Sequence, residues 1–244
     1  METESFDNRL FMARKTAATR SSATVPPDPP GWRDAPTRDE RGRLIREGLF
    51  RAASAVVGER GYQEASISLI TQRAGVAQGT FYNHFKSRQD LLDQLLPTLG
   101  KDMLEHVGRC AREGKTLIER EELGFRAFFS FLRENPHFFR ILNEAESFAP
   151  NAYRAHLDLV AAGYVSFFRR AAQAGELRGF EDRELEVVAF VLMAARSYLA
   201  WRYVYGEEQH DDIPDWVVTA YRRLISGGLE GAAESTPAGS RVRA

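Results

Sequence analysis

The sequence predicts an all-α protein in two parts: an N-terminal three-helix unit carrying a helix-turn-helix, and a larger helical domain behind it. Three observations predict it. From position 39 to 226 apolar residues recur at helical spacing, with no alternating strand pattern and no internal repeat between them. The stretch Ile67–Phe85 fits two short helices joined by a tight glycine turn. The chain of 244 residues is 43% hydrophobic and 27% charged, an ordinary globular composition with enough apolar material for one large core or two small ones.

In chain order, residues 1–37 make a poor core, and Pro26-Pro27-Asp28-Pro29-Pro30-Gly31 excludes helix and sheet, so a disordered tail is expected. Thr37 or Asp39 can cap the first long helix, in which Leu44, Ile45, Leu49, Phe50, Ala53, Val56 and Val57 repeat at helical spacing until Gly61 ends it. Tyr62 to Ala65 is a turn. Ser66 can cap a second helix running to Ala74, with Ile67, Ile70 and Ala74 as its apolar stripe. Gly75 supplies a left-handed residue and Val76 plugs the corner. A third helix starts near Gln78 and runs to about His84, anchored by Phe81 and Phe85.

The larger domain opens at Ser87, a cap with Asp90 three residues on, like a capping box with Asp in place of Glu. That helix carries Leu91, Leu92, Leu95 and Leu96, contains Pro97 and runs to about Ala111. A helix near 116–133 follows. Asn135-Pro136 reads as a cap with proline at the first helical position of the next. Pro150 opens a long helix ended by Gly175, then come helices over about 182–205 and 213–226. The parts are set at 1–37 (tail), 38–90 (helix-turn-helix domain), 91–228 (larger helical domain) and 229–244 (flexible tail).

The third helix has the chemistry of a nucleic-acid reader. Gln78, Gly79, Thr80, Tyr82, Asn83 and His84 leave it on the faces that Phe81 and Phe85 do not use. Gln and Asn can pair with adenine edges, while Thr, Tyr and His reach phosphates. Lys86 and Arg88 add positive charge. Net charge over the chain is −1, but residues 38–90 hold nine Lys/Arg against six Asp/Glu, an excess of +3, whereas residues 91–244 sum to −4. Phosphate attraction follows the local charge, because salt screens fields beyond about 8 Å. In the N-terminal tail Arg9, Arg14, Lys15 and Arg20 read either as an arm along DNA or as a solvated extension.

The ordered motif Ala74-Gly75-Val76-(x)2-Gly79-Thr80-Phe81-Tyr82-x-His84-Phe85-x-Ser87-(x)2-Asp90-Leu91-Leu92 resembles the tetracycline-repressor-like (TetR) transcription regulators. The resemblance covers roughly residues 40–95; Arg88-Gln89-Asp90 departs from the family's more usual Lys-Glu followed by an apolar residue. It implies a homodimer on a palindromic double-stranded DNA operator, released by a small-molecule effector. By matching positions, Thr80, Tyr82, His84 and Lys86 hold phosphates. Gln78 and Asn83 are the candidates for base edges, and Ser66, Ser68 and Gly79 complete the DNA-binding set.

In the larger domain the helix near 182–205 is apolar on most faces between Val187 and Ala200, which fits burial on two sides, the second side being another subunit or an internal core. Aromatics are in excess. Phe128, Phe129, Phe138, Phe139, Tyr164, Phe168, Arg196 and Tyr198 are the candidate ligand-binding residues, and the lining suits an acyl chain, an acyl-CoA or an aromatic acid. Arg196 stands among apolar residues and needs a partner: Glu144, Glu146 or an acidic ligand. His137, His156 and Glu144 match no metal-ligand spacing, so neither metal nor cofactor is expected. The lone Cys110, the absence of an 18-residue apolar run and an N-terminus unlike a signal peptide point to the cytoplasm and away from the membrane. No Ser-His-Asp, Cys-His or phosphate-loop signature suggests an enzyme; the alternative to a regulator is an all-helical enzyme or carrier with an incidental helical hairpin.

Overall fold

The computed structural model describes residues 31–206, 210 and 212–229. The basic tail residues before position 31 and the tail after 229 lie outside them. Among the described residues every regular element is helical: α1 (Arg38–Arg60), α2 (Ile67–Ala74), α3 (Gln78–Tyr82), α4 (Arg88–Ala111), α5 (Leu117–Glu134), α6 (Phe138–Phe148), α7 (Pro150–Gln173), α8 (Leu185–Tyr203) and α9 (Asp215–Leu229). Short 3-10 turns at Trp32–Asp34 and Asp182–Glu184 precede α1 and α8. Trp32 is half-buried against the core, so packed structure begins before position 38.

Local chemistry sets the starts and stops. The side chains of Thr37, Ser66, Ser87 and Thr116 each accept a hydrogen bond from the backbone N–H three residues on, which satisfies donors that a helix start leaves orphaned. Thr116 and Glu119 close a full capping box. Asp90 does not: its carboxylate accepts from the Lys86 N–H at 2.7 Å, one residue before the cap. Gly75 takes φ 68°, and the chain reverses there with the Val76 N–H bonded to the Thr71 carbonyl.

Two expectations are corrected. Helix α3 ends at Tyr82 rather than near His84, and residues 83–85 continue as turns in which the His84 and Phe85 N–H groups both donate to the Phe81 carbonyl. Asn135 closes α5 instead of capping α6: its side-chain amide donates to the Phe131 carbonyl, and α6 starts at Phe138. Pro97 lies inside α4, which runs from Arg88 to Ala111 as expected.

Helix α1 packs on α2, α4 and α6; α4 packs on α5 and α7; α7 packs on α8, and α9 on α5. One continuous apolar core runs from Ile45 in α1 to Ile225 in α9. Helix α6 is the short element that touches α1, α4 and α7 together.

Candidate DNA-binding surface and ligand cavity

Phe81 and Phe85 are fully buried, their rings 5.4 Å apart, and Phe50 of α1 meets Phe85 edge-on at 5.3 Å. With that face fixed, Gln78, Gly79, Tyr82, Asn83 and Lys86 stand exposed together with Ser66 and Ser68 of α2; Tyr82 is 59% exposed. Thr80 and His84 are half-buried at the edge of the same surface. Ser66 also serves as the cap of α2.

Two arginines hold this surface in place from behind. Arg46 of α1 donates to the His84 carbonyl at 3.2 Å and to Gln94 Oε1 at 2.5 Å, with its guanidinium over the Phe85 ring. Arg88 donates to the carbonyls of Ala65 and Tyr62, tying the start of α4 to the α1–α2 turn. Arg88 therefore points at the turn and not outward, contrary to its expected place in the basic surface. Burial and the nearby Arg46 charge lower the His84 pKa, so near neutral pH it offers a neutral imidazole.

The larger domain contains a cavity of about 1030 Å³ between α4, α5, α6, α7 and α8. The lining follows α7 from Tyr153 to the residue that closes the helix, Ala174, a path of about 31 Å at 1.5 Å per residue. The end next to α6 is apolar, with Phe138, Phe139, Leu142, Tyr153 and Leu157; the far end carries Arg112, Arg120, Arg170 and Glu176. Of the expected ligand-binding residues, Phe128, Phe138, Phe139, Tyr164, Arg196 and Tyr198 line this space. Phe129 and Phe168 do not; they are fully buried in the wall behind it. Phe167 lines it in place of its neighbour Phe168, and Met103, Val107, Val160, Met193 and Trp201, which were not anticipated, complete the lining. For α7 the signal was present: Tyr153, Leu157, Val160, Tyr164, Phe167 and Ala171 recur at three- and four-residue steps.

Halfway along the cavity sits a buried polar cluster. Arg196 pairs with Glu121 of α5 at 2.6 Å, with both side chains buried, and the Tyr221 hydroxyl of α9 donates to the same Glu121 oxygen at 2.6 Å. Neither Glu144 nor Glu146 is its partner: Glu144 is committed to α1 and Glu146 is exposed. Burial opposes the Arg196 charge, but Glu121, Tyr164 and Tyr221 outweigh it and the pKa is raised. Burial pushes the Tyr164 and Tyr221 hydroxyls up as well, so both stay protonated donors. Arg196 Nε and the Tyr164 hydroxyl are buried without a hydrogen-bond partner.

Helix α6 joins the two regions. One side gives Phe138, Phe139, Leu142 and Asn143 to the cavity. The other side grips the end of α1: Arg140 donates to the Gly58 carbonyl at 2.9 Å, and Glu144 accepts from the Tyr62 N–H at 3.0 Å and from Arg140 Nε at 2.8 Å. The His137 ring lies so close to Gly58 that a β-carbon there would overlap it. Among the described residues no group of three or more His, Cys, Asp or Glu could hold a metal ion, and no helix is long and apolar enough to cross a membrane.

Residues 49–95 match the family model described as bacterial regulatory proteins, tetR family. Over 168 residues the chain is 25% identical to the fatty acid metabolism regulator protein of Bacillus subtilis (strain 168), covering 67% of this chain and 85% of that one. It is 32% identical over 107 residues to the HTH-type transcriptional activator FasR of Mycolicibacterium smegmatis, covering 44% and 47%. Its fold is similar to the crystal structure of the transcriptional regulator FadR from Bacillus subtilis in complex with stearoyl-CoA, with TM-score 0.63, 21% identity and coverage of 75% and 98%. Residues 49–95 thus carry a helix-turn-helix similar to that of the tetR family of bacterial regulatory proteins, on an all-helical fold similar to that solved structure.

Proposed function

We propose that this regulator binds a two-fold operator as a homodimer, through Gln78 to Lys86 with Ser66 and Ser68, and loosens when a long acyl chain, presented as an acyl-CoA, fills the cavity. The observation that carries this reading is the position of α6, with aromatic residues in the cavity on one side and hydrogen bonds to α1 on the other. A ligand shifts the equilibrium only by preferring one arrangement of that joint. The length and apolar end of the cavity support an extended aliphatic ligand. Relatives described as a fatty acid metabolism regulator and as a regulator in complex with stearoyl-CoA support the acyl class.

The dimer reading rests on an exposed apolar face. Helix α8 buries Leu185, Ala189, Leu192, Arg196 and Ala200 on one side and exposes Val187 and Val191, which do not line the cavity, on the opposite one. Trp216 and Leu224 of α9 are exposed as well. Such a face favours a second copy of the chain, and two-fold symmetry would place the recognition helices in successive major grooves about 34 Å apart. The chain then works by binding and not by catalysis, in the cytoplasm with its operator.

The test is retention of fragments of its own upstream DNA on purified protein, with and without hexadecanoyl-CoA. Specific retention that the acyl-CoA relieves is the expected result. Equal retention of random and upstream DNA removes the operator reading, and retention that no acyl-CoA alters removes the effector reading.

A further inference from the structure

We propose that the cavity reads the ligand's carbonyl: Arg196 Nε and the Tyr164 hydroxyl donate to the neutral acyl carbonyl of a thioester, with the hydrocarbon chain lying toward α6 and the polar carrier toward Arg112 and Arg170. The proposal rests on the acyl-CoA reading above and adds a polarity and a headgroup chemistry to it.

Two residues that line the same stretch of cavity each carry a buried donor without a partner. Arg196 is 6% exposed and Tyr164 9% exposed, both line the space, and the Arg196 guanidinium carbon lies 5.2 Å from the Tyr164 ring centre. A buried donor left unmade is costly, so this site is completed by an acceptor. The kind of acceptor follows from Glu121. Its carboxylate already neutralises Arg196 at 2.6 Å and accepts from Tyr221. A second carboxylate there would sit beside Glu121 in a dry site with no free positive charge to balance it. A neutral carbonyl oxygen accepts from both donors and brings no charge. Thioesters and oxygen esters qualify; free fatty and aromatic acids do not.

The rest of the cavity gives the direction. From Tyr164 to Tyr153 the apolar half extends about 16 Å along α7. The hydrocarbon core of a bilayer is about 30 Å for two chains end to end, so one long acyl chain fills this half and reaches Phe138 and Phe139 of α6. From Tyr164 to Ala174 the other half extends about 15 Å. There Arg112 and Arg170 are exposed, and Arg120 is paired with Glu176 at 2.5 Å. That end suits a polar carrier bearing phosphates.

The test is calorimetric titration of the full chain with hexadecanoyl-CoA, S-hexadecyl-CoA (CH2 replacing the C=O), hexadecanoate and CoA. Hexadecanoyl-CoA is expected to bind at least about tenfold more tightly than the thioether, since the thioether forgoes two hydrogen bonds from buried donors. It is also expected to bind more tightly than the free acid. Tyr164→Phe, which keeps the ring on Phe168, should narrow the gap between the two CoA compounds, leaving the share owed to Arg196. Equal binding of thioester and thioether, or a Tyr164→Phe loss identical for both, overturns the carbonyl contact while leaving an acyl-CoA effector standing. Tightest binding by hexadecanoate overturns it too. Failure of every acyl compound to bind removes the acyl reading of the cavity and this proposal together.

Discussion

At the scale of single residues, the candidate DNA contacts separate by role. Gln78 and Asn83 offer amides, while Tyr82, Thr80, His84 and Lys86 offer phosphate donors on the same surface. Gln78→Ala should cost about 1–3 kcal/mol of discrimination at one position per half-site, whereas Tyr82→Phe should weaken all sequences alike; competition between operator and random DNA separates the two. His156 makes a stability prediction. Burial against α4 lowers its pKa to about 4, and its Nδ1 has no hydrogen-bond partner. Unfolded, the imidazole titrates near 6.5. Between those values the unfolded chain binds more protons, so stability is full above about pH 6.5 and falls as pH drops toward 4, by on the order of 3 kcal/mol. Urea unfolding between pH 5 and 7 should show that slope. His156→Gln should flatten it, leaving only the smaller part owed to His84 and His137, whose pKa values are lowered in the same direction.

At the scale of elements, the proposed coupling runs through α6. Glu144→Ala removes the acceptor for the Tyr62 N–H and the partner of Arg140, and should cost about 1–3 kcal/mol of stability. It should leave acyl-CoA affinity within about twofold, because Glu144 faces α1, yet reduce the ligand's effect on operator binding. A variant with weakened ligand binding and intact regulation would place the joint elsewhere. Elements also mark how far the sequence could be read. Caps at Thr37, Ser66 and Ser87 and the turn at Gly75 were legible because each acts over three or four residues. The Arg196–Glu121 pair spans 75 residues and the Tyr62–Glu144 contact 82, and helical periodicity carries no information about which helices meet. The need of Arg196 for a partner was visible; the partner was not. Phe167 and Phe168 differ by one position, and only the packed rotation of α7 decides that the first faces the cavity.

At the scale of the whole molecule, the proposed operator reading requires two copies acting together. Val191→Asp, placing a charge at a position 60% exposed in one chain, should leave the fold intact, shift light scattering from dimer to monomer at micromolar concentration, and weaken operator binding by abolishing the paired half-site contact. A dimer that persists in this variant would move the interface off α8. The central claim, that cavity and operator surface share one equilibrium through α6, has a reciprocal consequence: operator must change acyl-CoA affinity by the factor by which acyl-CoA changes operator affinity. The most direct measurement is calorimetric titration of hexadecanoyl-CoA into the free dimer and into the dimer saturated with operator. A drop in acyl-CoA affinity of roughly 5- to 150-fold on the operator complex, matching the loss of operator affinity caused by acyl-CoA, is the predicted result. Identical titrations with and without operator would contradict it.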